Sequence, residues 1–305
     1  MLLPLVLLRT SPSFWILQFG FYPRILWPLN IYEVGLSRVS KIEQRCHVFI
    51  RKWLQLPKMT ASAALYKNNG VLELPTASLV EQFKCGKVRT ILMLRDSRDH
   101  TISCDPPRLN TLKQWNAEEA TDAAVAALHH KDIVGAVCSN SRGLGFGTFK
   151  PSCKMTPQER RKAVVSEVKF DEANKRNLKL VQSSVQGQCT YWQENIIQRK
   201  LTWNEIWQWE PARLSFLIQS TYDTLPSPAN LVRWKISSDN KCKCGQRGTM
   251  RHILSNCPIG LNKRYLWRHN KILDPIHSAI KEKVDLINQG KLPLAKKMGF
   301  ICFCK

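Results

Sequence analysis

The stretch CKCGQRGTMRHILSNC, residues 242–257, places three cysteines and one histidine within 16 positions. Thiolate and imidazole are the ligands that zinc prefers, and a structural zinc site uses four of them in a tetrahedron. Gly245 and Gly248 allow the sharp turns of a zinc knuckle, because glycine has no Cβ that would crowd them. The stretch therefore predicts a closed, structural Zn²⁺ site whose ligands are Cys242, Cys244, His252 and Cys257.

The first cysteine pair is the irregular part of this pattern. A standard knuckle separates its two cysteines by two residues, whereas only Lys243 separates Cys242 from Cys244. Both thiols can reach one ion only if the turn between them is distorted. His269 or a water molecule is an alternative fourth ligand. The alternative to any metal site is a set of free thiols on a helical turn.

The charge of the chain indicates a polyanionic partner. Lys and Arg number 46 against 23 Asp and Glu, which gives a formal net charge of +23. The excess is spread along the chain, and it favours nucleic acid over an anionic membrane surface. A solubilising surface, or a basic protein of the ribosomal or secreted kind, is the alternative. We expect RNA or DNA as the partner, with no small-molecule substrate and no membrane.

The cysteines and the N-terminus bear on the location of the protein. Eleven cysteines are an odd number, and most are isolated, which is typical of reduced thiols in an intracellular protein. Residues 2–8 form an apolar run like that of a signal peptide, but no basic segment precedes it and Pro4 interrupts it. We therefore expect no signal peptide, no membrane span and an intracellular, nuclear location.

Apolar periodicity and capping residues predict a mainly α chain. Ser78 or Thr76 caps one predicted helix, and Thr156, Pro157 and Glu159 form a capping box for another. The predicted helices cover 36–56, 76–95, 111–131, 156–185 and 187–200, followed by two short helices within 201–234 that are broken at Pro211 and stopped by Pro226 and Pro228. The sequence predicts a loop over 97–107, a flexible linker over 138–155 and a hairpin only at the cysteine finger.

Several motifs, in order along the chain, resemble one known family. The C-terminal ones are LTWNEIWQWEPARLSFLIQSTYDTLPSPANLVRW (201–234), CKCGQRGTMRHILSNC and RYLWRHNKIL (264–273). They resemble the C-terminal region of reverse-transcriptase-like proteins of non-LTR retrotransposons, in the lineage with a restriction-like endonuclease. FYPRILWPLNIYEV (21–34) and residues 51–99 are similar to the segment after the polymerase palm, including the thumb. QWNAEEATDAAVAALHHKDIVG (114–135) is similar to the linker between thumb and finger.

This resemblance implies a domain order and a set of binding residues. The implied order is an unplaced segment 1–18, a thumb-like helical segment 19–105, a charged helical linker 106–200, a helical and zinc-knuckle domain 201–280 and a tail 281–305. The four ligands match the zinc ligands of the family. Cations and aromatic rings suit single-stranded nucleic acid, although Tyr265 and Trp267 can instead pack the finger onto the next helix. Lys243, Arg247 and Arg251 surround the predicted metal and suit phosphate contact. The resemblance adds as nucleic-acid-binding residues Arg264, Tyr265, Trp267, Arg268, His269 and Asn270.

Catalysis by this chain is not expected. In that family, DNA synthesis depends on paired palm aspartates that bind two Mg²⁺ ions. The chain contains no adjacent Asp-Asp pair, and no carboxylate cluster follows Ile280. The resemblance therefore implies a nucleic-acid-binding remnant without polymerase or endonuclease activity. The alternative is a helical protein-interaction or structural domain that a zinc finger stabilises.

Overall fold

The computed structural model describes residues 10–66, 72–104, 109, 111, 114–134, 137–140, 143–146, 151–183, 199–259 and 261–290. The described part is mainly helical, which confirms the predicted fold class. The chain divides into two compact units, Met1–Leu225 and Pro226–Lys305. None of the described helices is both long and apolar enough to cross a membrane.

The helices of the first unit are α1 (Thr10–Trp15), α2 (Tyr22–Ile31), α3 (Leu36–Trp53), α4 (Leu79–Arg95), α5 (His100–Cys104), α6 (Ala117–Val134), α7 (Pro157–Val181), α8 (Trp203–Gln208) and α9 (Pro211–Thr221). Those of the second unit are α10 (Pro228–Arg233) and α11 (Leu261–Asn288). The strands are β1 (Leu72–Glu73), β2 (Val137–Asn140), β3 (Gly143–Phe146) and β4 (Arg199–Lys200). Short π-helical segments cover Ile16–Phe21 and His252–Asn256, and 3-10 turns cover Ser62–Leu65 and Ser152–Lys154.

The predicted helix starts are confirmed by side-chain caps. The Ser78 hydroxyl accepts the backbone N–H of Glu81 at 3.2 Å and begins α4. Thr156 and Glu159 form a reciprocal capping box at α7, with Pro157 at the first helical position. A second capping box begins α8, where the Thr202 hydroxyl accepts from the Glu205 N–H at 3.2 Å. Each box satisfies backbone donors that a helix start leaves without partners.

Two hydrophobic clusters form the core of the first unit, and α4 contributes to both. Leu79 and Phe83 belong to a cluster built from α1, α2, α3, α8 and α9. Val88 and Leu92, later in the same helix, pack with the apolar faces of α6 and α7. β1 and β4 pair in parallel beside the first cluster, where the Tyr222 hydroxyl donates to the Leu72 carbonyl at 3.0 Å. The helix α4 therefore joins the two halves of this core.

A buried cation connects α4 to the end of α2. The side chain of Lys87 is 1 % exposed, and its Nζ donates to the carbonyls of Asn30 at 2.8 Å and Tyr32 at 2.9 Å. The last carbonyls of a helix lack intrahelical partners and carry partial negative charge, so a lysine there is stabilising. Gly86 permits the close approach, because a Cβ at this position would lie 2.4 Å from Asn30 Oδ1.

Three sequence predictions of secondary structure were wrong. Residues 137–146, part of a predicted linker, contain the antiparallel pair β2–β3, which satisfies backbone groups that a linker leaves to water. Arg199 and Lys200, the end of a predicted helix, form β4 because the chain folds back on β1. The predicted loop 97–107 contains the short helix α5. The rest of the predicted helix 187–200 and the N-terminal run 2–8 lie outside the described residues.

The predicted domain boundaries differ from the two units. The motifs predict that residues 201–225 belong with the cysteine finger, but Ile206 of α8 and Ile218 of α9 lie in the core of the first unit. Pro228 was predicted to stop a helix and instead begins α10, since proline is well suited to the first helical turn and Ser227 caps it. Residues 281–288 of the predicted tail continue α11.

Candidate metal centre

A tight turn brings the first two cysteines of the finger together. Lys241 and Arg247 form an antiparallel bridge, and the Cys242 N–H donates to the Gln246 carbonyl at 2.7 Å. Inside this loop the Gly245 N–H donates to the Cys242 carbonyl at 2.8 Å. Gly245 has a φ of 86°, a left-handed conformation that glycine adopts without strain. The chain reverses across the two cysteines, which is the distorted turn that their short spacing requires.

A π-helical turn supplies the other two ligands. It covers His252–Asn256, and Cys257 follows at its C-terminal end in an extended conformation. The Thr249 hydroxyl accepts the His252 backbone N–H at 3.1 Å and fixes the start of the turn. Because a π-helix has i to i+5 hydrogen bonds, residues five apart lie nearly above one another. His252 and Cys257 therefore lie on the same side of the turn.

The four predicted ligands converge on one point. Their ligand atoms all lie within 4.8 Å of one another. The distance from Cys242 Sγ to Cys257 Sγ is 3.6 Å, and that from Cys244 Sγ to His252 Nε2 is 3.0 Å. With Zn–S bonds of about 2.3 Å, the sulfur atoms of a tetrahedral site lie about 3.8 Å apart. Shifts of about 1 Å bring the group to that geometry, so the cluster can hold a metal ion.

The environment of the thiols differs across the cluster. The backbone N–H of Cys244 donates to the Cys242 sulfur and, with hydrogen bonds from the neighbouring ligand side chains, lowers the pKa of Cys242 to about 6. Burial of the Cys257 thiol raises its pKa. A metal ion binds thiolates, so its binding to this cluster releases the proton of Cys257. Metal binding is therefore expected to strengthen as the pH rises.

The finger packs directly on the short helix before it. The Ala229 N–H of α10 donates to the Gly248 carbonyl at 3.2 Å. A Cβ on Gly248 would lie 2.8 Å from Cβ and Cγ of Pro228. The sequence predicts a sharp knuckle turn at Gly248, whereas the structure shows that close approach to Pro228 is what requires a glycine.

The predicted nucleic-acid-binding residues occupy two surfaces of the second unit. The side chains of Lys243, Arg247 and Arg251 are exposed around the cysteine cluster. Tyr265 and Trp267 of α11 are 60 % and 64 % exposed, so neither ring is buried between the finger and the helix.

The rest of the predicted set lies along α11 and makes local contacts. Arg268 donates to the Leu254 carbonyl of the π-helical turn at 2.7 Å and connects α11 to the finger. The ring of His269 stacks on Tyr265 with a centroid distance of 5.9 Å, and its Nδ1 lies 3.3 Å from Asn270 Oδ1. His269 does not belong to the ligand cluster in the described part of the chain. Arg264 lies in α11, and its side chain is outside the described set.

The second unit also carries an exposed apolar helix face that the sequence predictions do not include. Large apolar side chains recur at three- and four-residue steps along α11, and each is at least 44 % exposed. Their spacing places them on one side of the helix, and the same periodicity in the sequence is the signal that could have revealed them. They are Leu266, Ile272, Leu273, Ile276, Ile280 and Val284.

Comparison with known proteins assigns no family to the chain. No protein-family model matches it, and no curated protein sequence matches it significantly. The resemblance to reverse-transcriptase-like proteins therefore stays a prediction from the motifs.

Proposed function

We propose that the chain binds RNA or single-stranded DNA through a zinc-stabilised finger and the first turns of α11. We propose further that it is a non-catalytic part of a reverse-transcriptase-like protein of a non-LTR retrotransposon. The observation that carries the binding proposal is the convergence of four ligand atoms within 4.8 Å beneath the exposed cations Lys243, Arg247 and Arg251. The motif order along the chain supports the proposed origin.

Zinc is the metal that this ligand set favours. Zinc binds three thiolates and one imidazole in a tetrahedral arrangement, whereas magnesium and calcium select oxygen ligands. Four protein ligands leave no open position for a substrate, so the ion is structural. The finger has few apolar residues of its own, and metal binding supplies folding free energy to such small domains.

The surface around the ion supports nucleic acid as the partner. Residues 226–290 contain twelve Lys and Arg against four Asp and Glu. Exposed cations bind phosphates, and exposed rings such as Tyr265 and Trp267 stack on unpaired bases without selecting a sequence. The ion holds the loop that carries Lys243 and Arg247, so metal removal is expected to weaken binding.

The test combines metal content with binding at several salt concentrations. Purified protein is expected to contain about one zinc per chain, and C257S about none. Affinity for a single-stranded oligonucleotide is expected to fall steeply between about 50 and 200 mM salt, and C257S is expected to bind more weakly. C104S is the matched control, since Cys104 is exposed and outside the cluster. Zinc below about 0.2 equivalents together with binding that ignores salt would refute the proposal.

A second candidate function rests on a different observation. The exposed apolar side of α11 favours a helical protein-interaction domain in which the finger serves only as structural support. That function predicts weak, salt-independent binding of oligonucleotides. It also predicts no effect of replacing Lys243, Arg247 and Arg251 with glutamine.

A further inference from the structure

A basic groove lies between α4 and α7 in the first unit, on a surface that the binding proposal above does not use. The groove has a volume of about 480 Å³. Arg89 and Met93 of α4 line one wall, and the side chains of α7 that line the other include Arg161, Lys162, Val165 and Lys169. None of the described residues that line the groove is an aspartate or a glutamate.

Helical spacing explains why these cations face one groove. Arg161, Lys162, Val165 and Lys169 are separated by one, three and four positions, which places them along one side of α7. At a rise of 1.5 Å per residue, the cations from Arg161 to Lys169 extend over about 12 Å. Arg89 and Met93 lie one turn apart on α4 and face them. The positive charge thus forms a row and not a single point.

Among the described residues, neighbouring carboxylates neutralise only one cation of this row, Arg161. Asp96 accepts from Arg160 at 3.0 Å and from Arg161 at 3.2 Å. Along the same pair of helices, Glu172 pairs with Lys84 and Glu81 with Arg176. Among the described residues, no carboxylate forms an ion pair with Arg89, Lys162 or Lys169. These three cations therefore carry uncompensated charge into the groove.

The composition of the groove identifies the class of ligand. It offers cations to an anion, and none of its described lining residues is an aromatic side chain on which a base or nucleoside could stack. Its apolar side chains, Met93 and Val165, form no hydrogen bonds, and its uncharged polar side chains, Gln158 and Ser166, are of the kind that also donate to phosphate oxygens. Contacts of this kind position a phosphate backbone and do not specify sequence. We propose that the α4–α7 groove binds the phosphodiester backbone of a nucleic-acid strand, independently of the metal centre.

The test replaces the three uncompensated cations. R89Q/K162Q/K169Q in the full chain, loaded with zinc, is compared with wild type for binding of single-stranded RNA across a salt series. Loss of three phosphate contacts is expected to reduce the slope of log K against log[salt] by about 2 and the affinity at 0.1 M salt by about 100-fold. The reduction is expected to be equal for two oligonucleotides of unrelated sequence. Arg161 is left in place because it pairs with Asp96.

A matched control separates a site from general charge. R38Q/K41Q/R45Q removes the same charge from exposed positions of α3 in the same unit. This control is expected to change the affinity less than about 3-fold, a difference in binding free energy below about 0.7 kcal/mol. An equal loss in both triple variants would overturn the proposal, as would a groove variant that loses affinity for anionic lipid vesicles but retains RNA binding. Thermal unfolding of each variant checks that the fold is kept.

The groove and the finger can fail separately. If C257S keeps its affinity and the groove variant loses it, the finger proposal is wrong and the groove proposal stands. If C257S loses affinity and the groove variant does not, the groove proposal is wrong and the finger proposal stands. If each loses part of it, both sites bind the strand, and the combined variant is expected to show the larger loss.

Discussion

The Sγ atoms of Cys242 and Cys257 lie 3.6 Å apart although 15 positions separate the two residues. Two local features produce this contact. The turn closed by the Gly245 N–H orients the first thiol, and the π-helical turn from His252 places the second opposite it. The pair forms one edge of the candidate tetrahedron, and it places Cys242, and not His269, in the cluster of four described side chains.

Substitution of Cys242 is expected to weaken zinc binding much more than substitution of His269. Loss of a direct ligand should cost more than the 10–100-fold that is typical of outer contacts, so C242S is expected to lose at least about 100-fold in affinity. H269A should match wild type. Competition with a chromophoric chelator measures the zinc affinity of both variants. A weakened H269A beside an unaffected C242S would identify His269 as the ligand.

The stability of the first unit is expected to fall in acid because of His47. Burial, and then the charge of Arg51, lowers the pKa of His47 from 6.5 to about 4. Its Nε2 has no hydrogen-bond partner in the described part of the chain. The unfolded chain binds this proton near pH 6.5 and the folded chain only near pH 4. The contribution to stability is thus complete above pH 6.5 and lost as the pH falls towards 4.

Urea unfolding at pH 7 and pH 4.5 tests this linkage. Between these values wild type is expected to lose about 2–3 kcal/mol more unfolding free energy than H47Q, which lacks the titrating group. The loss in wild type is compared with the loss in H47Q because other groups titrate in both proteins and their effects cancel in the comparison. Equal losses in wild type and H47Q would mean that His47 is accessible to protons in the folded chain.

The ion pair of Lys84 and Glu172 is expected to be costly to break from one side. Lys84 Nζ on α4 lies 2.7 Å from Glu172 Oε1 on α7, and the two side chains are 8 % and 11 % exposed, respectively. K84M leaves a buried carboxylate without its main partner and should cost about 3–5 kcal/mol, whereas K84M/E172M should recover most of that loss. Denaturant unfolding of the wild type, K84M, E172M and K84M/E172M gives the four unfolding free energies of a double-mutant cycle. A neutral K84M would show that Lys175, 3.5 Å from Glu172, is a sufficient partner.

The capping box of α7 is expected to stabilise the first unit measurably. T156A removes the hydroxyl that accepts from Glu159 and should lower the unfolding free energy by about 1 kcal/mol. T156S keeps the hydroxyl and serves as the control. Thermal unfolding compares the three proteins, and an equal loss in T156S would assign the effect to the methyl group instead of the cap.

Much of the candidate site could be predicted from the sequence. The four ligands follow from residue type and spacing, and the need for a distorted turn follows from the single residue between Cys242 and Cys244. The means of making that turn could not be predicted, because it depends on the Lys241–Arg247 bridge and on a π-helical turn. The role of Gly248 was assigned incorrectly for a similar reason, since only packing brings Pro228 to within 2.8 Å of its Cβ position.

Local information was enough for the helical class and for the capped helix starts at Ser78 and Thr156, because each depends on residues within a few positions. The excess of positive charge follows from composition alone. Local information was not enough for the partners of distant residues. The pairing of β4 with β1, the contact of Lys87 with the end of α2 and the facing of Arg89 and Lys169 across one groove all depend on how helices pack. Packing depends on the fit of whole helix surfaces, and no short sequence pattern specifies that fit.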